Sequence, residues 1–233
     1  MFAELIKSAA DILFPLHCLG CGFEGRWICE LCALRFSPEG VWECPACHRP
    51  SASGRPCAGA CAQKSAVSMH AAMGRHEDDL LLTALVRQFK YHGAQKSIQA
   101  ILPHIRRFVH ESVPFFSDVD AVVAVPLHPR RFAERGWNQA SVLGHMMGAL
   151  LHAPAHEALV RTRATRAQAT LSRRERLVNV HNAFLCPDAD AVRGKTILLI
   201  DDVYTTGATM QACAQALLRS GAREVRGFTL LKG

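Results

Sequence analysis

The chain has 233 residues, 49% of them hydrophobic and 20% charged, with a formal net charge of +7. That length accommodates one medium domain plus a small one, and the apolar content excludes an extended disordered chain. Mean hydropathy is close to zero and no apolar run reaches membrane-spanning length, so no integral membrane segment is expected.

Phe2, Leu5, Ile6, Ala9, Ile12 and Leu13 share one face at helical spacing, which predicts an amphipathic helix over residues 1–16 packed on the body of the protein. Glu4, Lys7 and Asp11 interrupt any signal-peptide core, so the expected location is the cytoplasm.

Residues 17–65 form a second unit. Eight of the ten cysteines fall here as pairs: Cys18 and Cys21, Cys29 and Cys32, Cys44 and Cys47, Cys57 and Cys61. A Cys-x-x-Cys turn aims two thiolates at one point, and two such turns complete a tetrahedral site, so two structural zinc ions are expected. The competing disulfide framework requires an oxidising compartment, which the lack of a secretory signal argues against. Serial pairing, with the first four cysteines on one ion and the last four on the other, is the simplest; crossed pairing stays open. Glycines at 20, 22, 25, 54 and 59 and prolines at 45, 50 and 56 suit short ribbons whose folding depends on metal. His17, His48 and His70 could also ligate, but the full set of thiols makes them ordinary polar residues.

From residue 66 to 233 strands and helices alternate, which predicts an α/β domain with a parallel sheet flanked by helices. Strand patterns cover 66–73, 121–126, 195–201 and 224–231, and helical patterns cover 80–91, 95–111, 138–151 and 207–220. Val125-Pro126-Leu127-His128-Pro129-Arg130-Arg131 leaves a strand and turns at Pro129, with Asn138 placed to cap the next helix. Residues 161–176 carry six arginines against one glutamate. Together with Arg106, Arg107, Arg130, Arg131 and Arg135 they suit a pyrophosphate-bearing ligand and would attract a nucleic-acid backbone.

The densest motif is residues 197–209. Ile197 to Ile200 read as a central strand buried on both faces, and Asp201 and Asp202 fall at its carboxyl end, where open α/β sheets bind ligands. Thr205, Thr206, Gly207 and Thr209 lead into a helix with Met210, Cys213, Ala214, Leu217 and Leu218 on its apolar face. Backbone N–H groups and a helix N-terminus hold phosphate without a lysine, and carboxylates beside them suit the hydroxyls of a ribose. No Gly-x-x-x-x-Gly-Lys-Ser/Thr sequence is present, which disfavours an ordinary P-loop.

This apolar–Asp–Asp–x–x–Thr–Thr–Gly–x–Thr pattern resembles the type I phosphoribosyltransferases, which bind phosphoribosyl pyrophosphate (PRPP). The resemblance implies PRPP binding by Asp201, Asp202, Val203, Tyr204, Thr205, Thr206, Gly207, Ala208 and Thr209. The two aspartates would take the ribose hydroxyls, with Asp202 as a candidate base. Tyr204 stands at a variable position and has no role of its own in the motif. Phe89-Lys90-Tyr91-His92-Gly93, the 125–131 segment, Arg135-Gly136-Trp137-Asn138-Gln139 and Glu175 to Val180 narrow the similarity to the ComF family, double-zinc-ribbon proteins linked to DNA uptake in natural competence. By that resemblance Lys90, His128, Arg130 and Arg131 bind pyrophosphate. Arg161, Arg163, Arg166, Gln168, Arg173 and Arg174 belong to a loop that closes over PRPP, and Mg²⁺ accompanies the ligand.

Two functions follow as expectations. The first is a PRPP-binding protein that assists DNA uptake by handling single-stranded DNA with competence-machinery partners, Trp27, Trp42 and Trp137 being available for stacking. The second is an active phosphoribosyltransferase acting on an unidentified base or other nucleophile. No recognisable nucleobase hood is present, and the zinc module is a candidate to occupy its place.

Overall fold

The computed structural model describes residues 15–91, 94–162 and 183–233, and of residues 90–97 it describes no side chains. Almost all of the expected N-terminal helix therefore lies outside the described residues.

The cysteine-rich segment contributes helix α1 (Glu30–Arg35), strand β1 (Val41–Trp42) and helix α2 (Ala60–Lys64). Strand β2 (Met69–Arg75) follows, then helices α3 (Leu80–Tyr91), α4 (Ala94–Glu111) and α5 (Val113–Phe116), and strand β3 (Ala121–Ala124). Next come helices α6 (Pro129–Arg135) and α7 (Gln139–Leu151) and three two-residue strands, β4 (Ala155–His156), β5 (Val160–Arg161) and β6 (Phe184–Leu185). The chain then runs through β7 (Thr196–Tyr204), α8 (Ala208–Arg219) and β8 (Glu224–Lys232).

Six strands form one sheet in the order β1-β2-β8-β7-β3-β4. All its pairings are parallel except β1 with β2, through which the cysteine-rich segment adds a strand to the sheet's edge. The continuous apolar run in β7 has a simple cause: both faces of the sheet are covered. Ile197 and Leu199 point to a core that includes Met210, Cys213 and Leu217 of α8. Leu198 and Ile200 point to the opposite core, with Leu85 and Phe89 of α3, Ile101 and Ile105 of α4 and Leu143 of α7. Trp42 holds the cysteine-rich segment onto this second core, stacked on Phe108 at 5.9 Å and edge-on to Phe115 at 5.4 Å between ring centroids.

The alternating pattern correctly predicts a mixed α/β fold with a mostly parallel sheet, but several boundaries move. The strand expected over 195–201 continues to Tyr204, because β8 runs beside it with Val203 opposite Leu231 and Tyr204 opposite Lys232. Asp201 and Asp202 thus lie within β7 rather than beyond it. The strand expected over 66–73 is β2, displaced to 69–75, since Ala66 instead donates its N–H to Gln211 Oε1 at 2.8 Å. The turn expected at Pro129 is the helix α6: proline suits a first helical position, and Gly136 ends the helix in the left-handed region at φ 78°. Strands β4 to β6 are too short for any periodicity to reveal them.

Candidate functional site

Each cysteine quartet converges on a point, and the pairing is serial. Cys18, Cys21, Cys29 and Cys32 form one group and Cys44, Cys47, Cys57 and Cys61 the other, with the sulfurs of each lying within 4.8 Å of one another. A tetrahedral ion with metal–sulfur bonds of about 2.3 Å requires sulfurs about 3.8 Å apart. Cys21 and Cys29 Sγ are 3.6 Å apart, and Cys47 and Cys57 Sγ are 3.8 Å apart. The two knuckles match in backbone as well: the residue after the second cysteine turns left-handed in each, as Gly22 at φ 77° and His48 at φ 64°.

Amide groups prepare one sulfur per quartet. Burial pushes the Cys18 thiol up, but N–H groups of Cys29, Gly20 and Cys21 outweigh it and bring it down to about 6. Cys44 likewise falls to about 6, burial being outweighed by the amides of Cys47, Cys57 and Ala46. Neighbouring sulfurs, chiefly those of Cys21 and Cys47, push Cys32 and Cys61 up to about 12. Four thiols at one point cannot all ionise unaided, and a bound cation removes that restriction. The donor set fits a divalent metal in both places.

The loop expected to hold phosphate, residues 205–209, follows the carboxyl end of β7. Asp201 and Asp202 are partly exposed, and the Asp202 N–H donates to Asp201 Oδ1 at 2.9 Å. Gly207 is the N-cap of α8 at φ 72°, and it supplies no side-chain cap to that helix. The first N–H groups of a twelve-residue helix therefore point into the loop without a capping side chain, a suitable arrangement for an anion. A Cβ on Gly207 would lie 2.1 Å from Tyr204 Oη, so both its φ and its surroundings require glycine.

A basic wall rises beside the loop, at the end of β3. His128 caps α6 by accepting the Arg130 N–H at Nδ1, 3.2 Å away. That contact places the proton of the neutral ring on Nε2, a buried atom with no hydrogen-bond partner among the described residues. Burial foremost, then Arg161, Arg131 and Arg130, lower the His128 pKa and keep the ring neutral. The Arg161 guanidinium lies over the Phe184 ring at 5.4 Å and is itself influenced by burial, Cys213, Arg131 and Asp201. The structure thus brings His128, Arg131 and Arg161 into one electrostatic neighbourhood that extends to Asp201. Arg130 is exposed and pairs with Glu134 at 3.2 Å. Asn138 caps α7 as expected, accepting the Ala140 N–H at 3.2 Å.

Arg163, Arg166, Gln168, Arg173 and Arg174 lie outside the described residues, as does the side chain of Lys90. Tyr204 turns its ring onto the cysteine-rich segment, where its hydroxyl donates to the Pro45 carbonyl at 3.0 Å. Sequence reasoning missed this junction and its other members, Gln211 and His70. No spacing rule marks a tyrosine at a variable loop position, and Gln211 reads as one polar residue on an amphipathic helix.

The profile of the phosphoribosyl transferase domain family matches residues 95–233. The chain is 34% identical over 225 residues to the DNA utilization protein YhgH of Escherichia coli (strain K12), covering 89% of this chain and 92% of that one. It is 27% identical over 239 residues to the competence protein ComFC of Bacillus subtilis (strain 168), covering 89% and 95%. With ComFC of Streptococcus pneumoniae (strain ATCC BAA-255 / R6) it shares 34% identity over 125 residues, about half of each chain.

Proposed function

The chain belongs to the ComF-type group of the phosphoribosyl transferase domain family, and from that membership we propose that it binds PRPP with Mg²⁺ and serves DNA uptake by handling single-stranded DNA. One observation carries the ligand reading. The helix terminus at Gly207 carries no side-chain cap and directly follows Asp201 and Asp202 at the end of β7, and among the described residues the buried His128 Nε2 has no hydrogen-bond partner. The 5′-phosphate would take the N–H groups of Thr206 to Thr209, the ribose hydroxyls Asp201 and Asp202, and the pyrophosphate His128, Arg131 and Arg161. Both quartets would hold zinc, the ion that all-thiolate tetrahedral sites favour. The relatives' names, DNA utilization and competence, support the setting. The exposed arginines of α6 support contact with a phosphate backbone.

Titration calorimetry with PRPP and Mg²⁺ tests the ligand. Saturable binding that neither ribose 5-phosphate nor pyrophosphate alone reproduces supports the reading; indifference to all three sinks it.

Turnover is the second reading, supported by the shared neighbourhood of His128, Arg131 and Arg161. His128, Arg131 and Arg161 would stabilise charge developing on that leaving group, and the fold would position the ribose carbon for attack. Release of pyrophosphate across a panel of bases and nucleosides separates a transferase from a protein that only binds.

A further inference from the structure

The phosphate loop and the second cysteine quartet meet through two side chains. Tyr204, at the end of β7, is only 2% exposed, and burial pushes its hydroxyl pKa up, so it remains a donor to Pro45. Gln211, in the first turn of α8, donates to the same Pro45 carbonyl at 3.1 Å and to Ser65 Oγ at 2.9 Å, and accepts from Ala66 N. Pro45 directly follows the ligand Cys44. Ser65 is joined to the ligand Cys61 through its N–H, 3.0 Å from the Cys61 carbonyl. Gln211 therefore touches the backbone at both ends of the quartet.

The Tyr204 ring is also the surface on which Gly207 sits. One side of the ring stacks on His70 at 3.8 Å, His48 meets it edge-on at 5.7 Å, and its hydroxyl fills the position a Gly207 Cβ would need. The left-handed turn that opens α8 thus rests on a ring held by β2 through His70 and by the ribbon through His48 and Pro45. Between residues 46 and 61 only Gly54 is buried, so that segment has no apolar core of its own and owes its shape to the quartet. The first quartet is anchored elsewhere. Its segment meets α4, where Phe36 packs edge-on against His104 at 4.5 Å and Arg107 donates to Ser37 Oγ at 2.9 Å.

We propose that Tyr204 and Gln211 are positioning residues through which metal at Cys44, Cys47, Cys57 and Cys61 sets the geometry of the phosphate loop, so that the second quartet and not the first governs its affinity for ligand. The inference rests on the reading of this loop as a PRPP site. By linkage the effect is reciprocal: a ligand that orders the loop tightens the hold of the second quartet on its metal.

Two measurements test it. In the first, zinc release from the intact protein to a colorimetric chelator is followed with and without PRPP. Ligand is expected to slow one of the two zinc equivalents at least about fivefold and leave the other unchanged. Combining Tyr204→Phe with Gln211→Ala should bring that protection below about twofold. Equal release of both ions at saturating PRPP overturns the proposal. In the second, which needs no ligand, hydrogen exchange of amides 205–209 is compared between Cys47→Ser with Cys61→Ser and Cys21→Ser with Cys32→Ser. Faster loop exchange is expected only in the first pair, and equal rates in the two pairs overturn the coupling. If PRPP fails to bind the wild type, the ligand reading falls, and the exchange comparison still decides the coupling.

Discussion

The Tyr204 hydroxyl lies 3.0 Å from the Pro45 carbonyl, which ties the strand bearing Asp201 and Asp202 to the residue after Cys44 of the second quartet, 159 positions earlier in the chain. The cysteine ribbon and the strand and helix that flank the 205–209 loop are therefore in direct contact. Several expected outcomes depend on how that contact is built.

Gly207→Ala should abolish PRPP binding. The substituted residue would be forced to φ 72° with its Cβ against Tyr204 Oη, so the turn must shift and misdirect the N–H groups of α8. Destabilisation of about 1–2 kcal/mol is expected from the backbone alone. Urea unfolding gives the stability change, and calorimetry gives the loss of ligand.

Asp201→Asn and Asp202→Asn should each weaken PRPP binding at least about tenfold, since a carboxylate accepting a ribose hydroxyl contributes ~1.5–3 kcal/mol. Zinc content measured by metal analysis should stay at two ions per chain, because neither residue belongs to a quartet. A parallel loss of zinc would show that the substitutions act through the fold.

His128 serves two purposes that substitution can separate. Asn at this position can still accept the Arg130 N–H and cap α6, but it offers no donor where Nε2 stands. His128→Asn should therefore keep stability within about 0.5 kcal/mol while reducing PRPP affinity roughly tenfold. His128→Ala should add a capping loss of about 1 kcal/mol, visible in the thermal midpoint.

Acid should destabilise the junction through His70. Burial foremost, with Lys232 and His48 adding to it, lowers its pKa from 6.5 to about 3. The folded protein keeps the ring neutral while the unfolded chain protonates it below about pH 6.5. The stability it contributes is present above that pH and is lost as pH falls towards 3, at a slope approaching 1.4 kcal/mol per pH unit. Urea unfolding between pH 7 and 5 should show this slope in the wild type and a shallower one in His70→Gln. Identical slopes would remove His70 from the account.

Single-stranded DNA, if it follows α6, contacts Arg130 and Arg131, both exposed. Alanine at either position should lower the slope of log affinity against log salt by close to one phosphate contact, about 0.7 for a single strand. An unchanged slope in both variants places the DNA elsewhere or removes it.

The sequence alone carried both chemical sites to the level of residue type. Four cysteine pairs at Cys-x-x-Cys spacing, or close to it, point to metal quartets, and the run from Ile197 to Thr209 contains strand, carboxylates, hydroxyls and glycine in the order that suits a phosphosugar loop. These signals are local, set by ligand spacing and by the periodicity of strand and helix. The architecture was legible for the same reason: a strand buried on both faces shows an unbroken apolar run, as Ile197 to Ile200 do.

What tertiary structure decided is everything that joins residues distant in the chain. Serial pairing of the cysteines, the continuation of β7 past Asp202, the burial of His128 Nε2 and the electrostatic influence of Asp201 on Arg161 each depend on a partner that no spacing rule connects to them. Tyr204 shows the limit most clearly. In the motif it fills a variable position, because a strand's backbone pattern does not specify what its outward side chain meets. Only the packing of the ribbon against the sheet makes that ring the support for Gly207, and a buried hydroxyl needs an acceptor, which Pro45 provides.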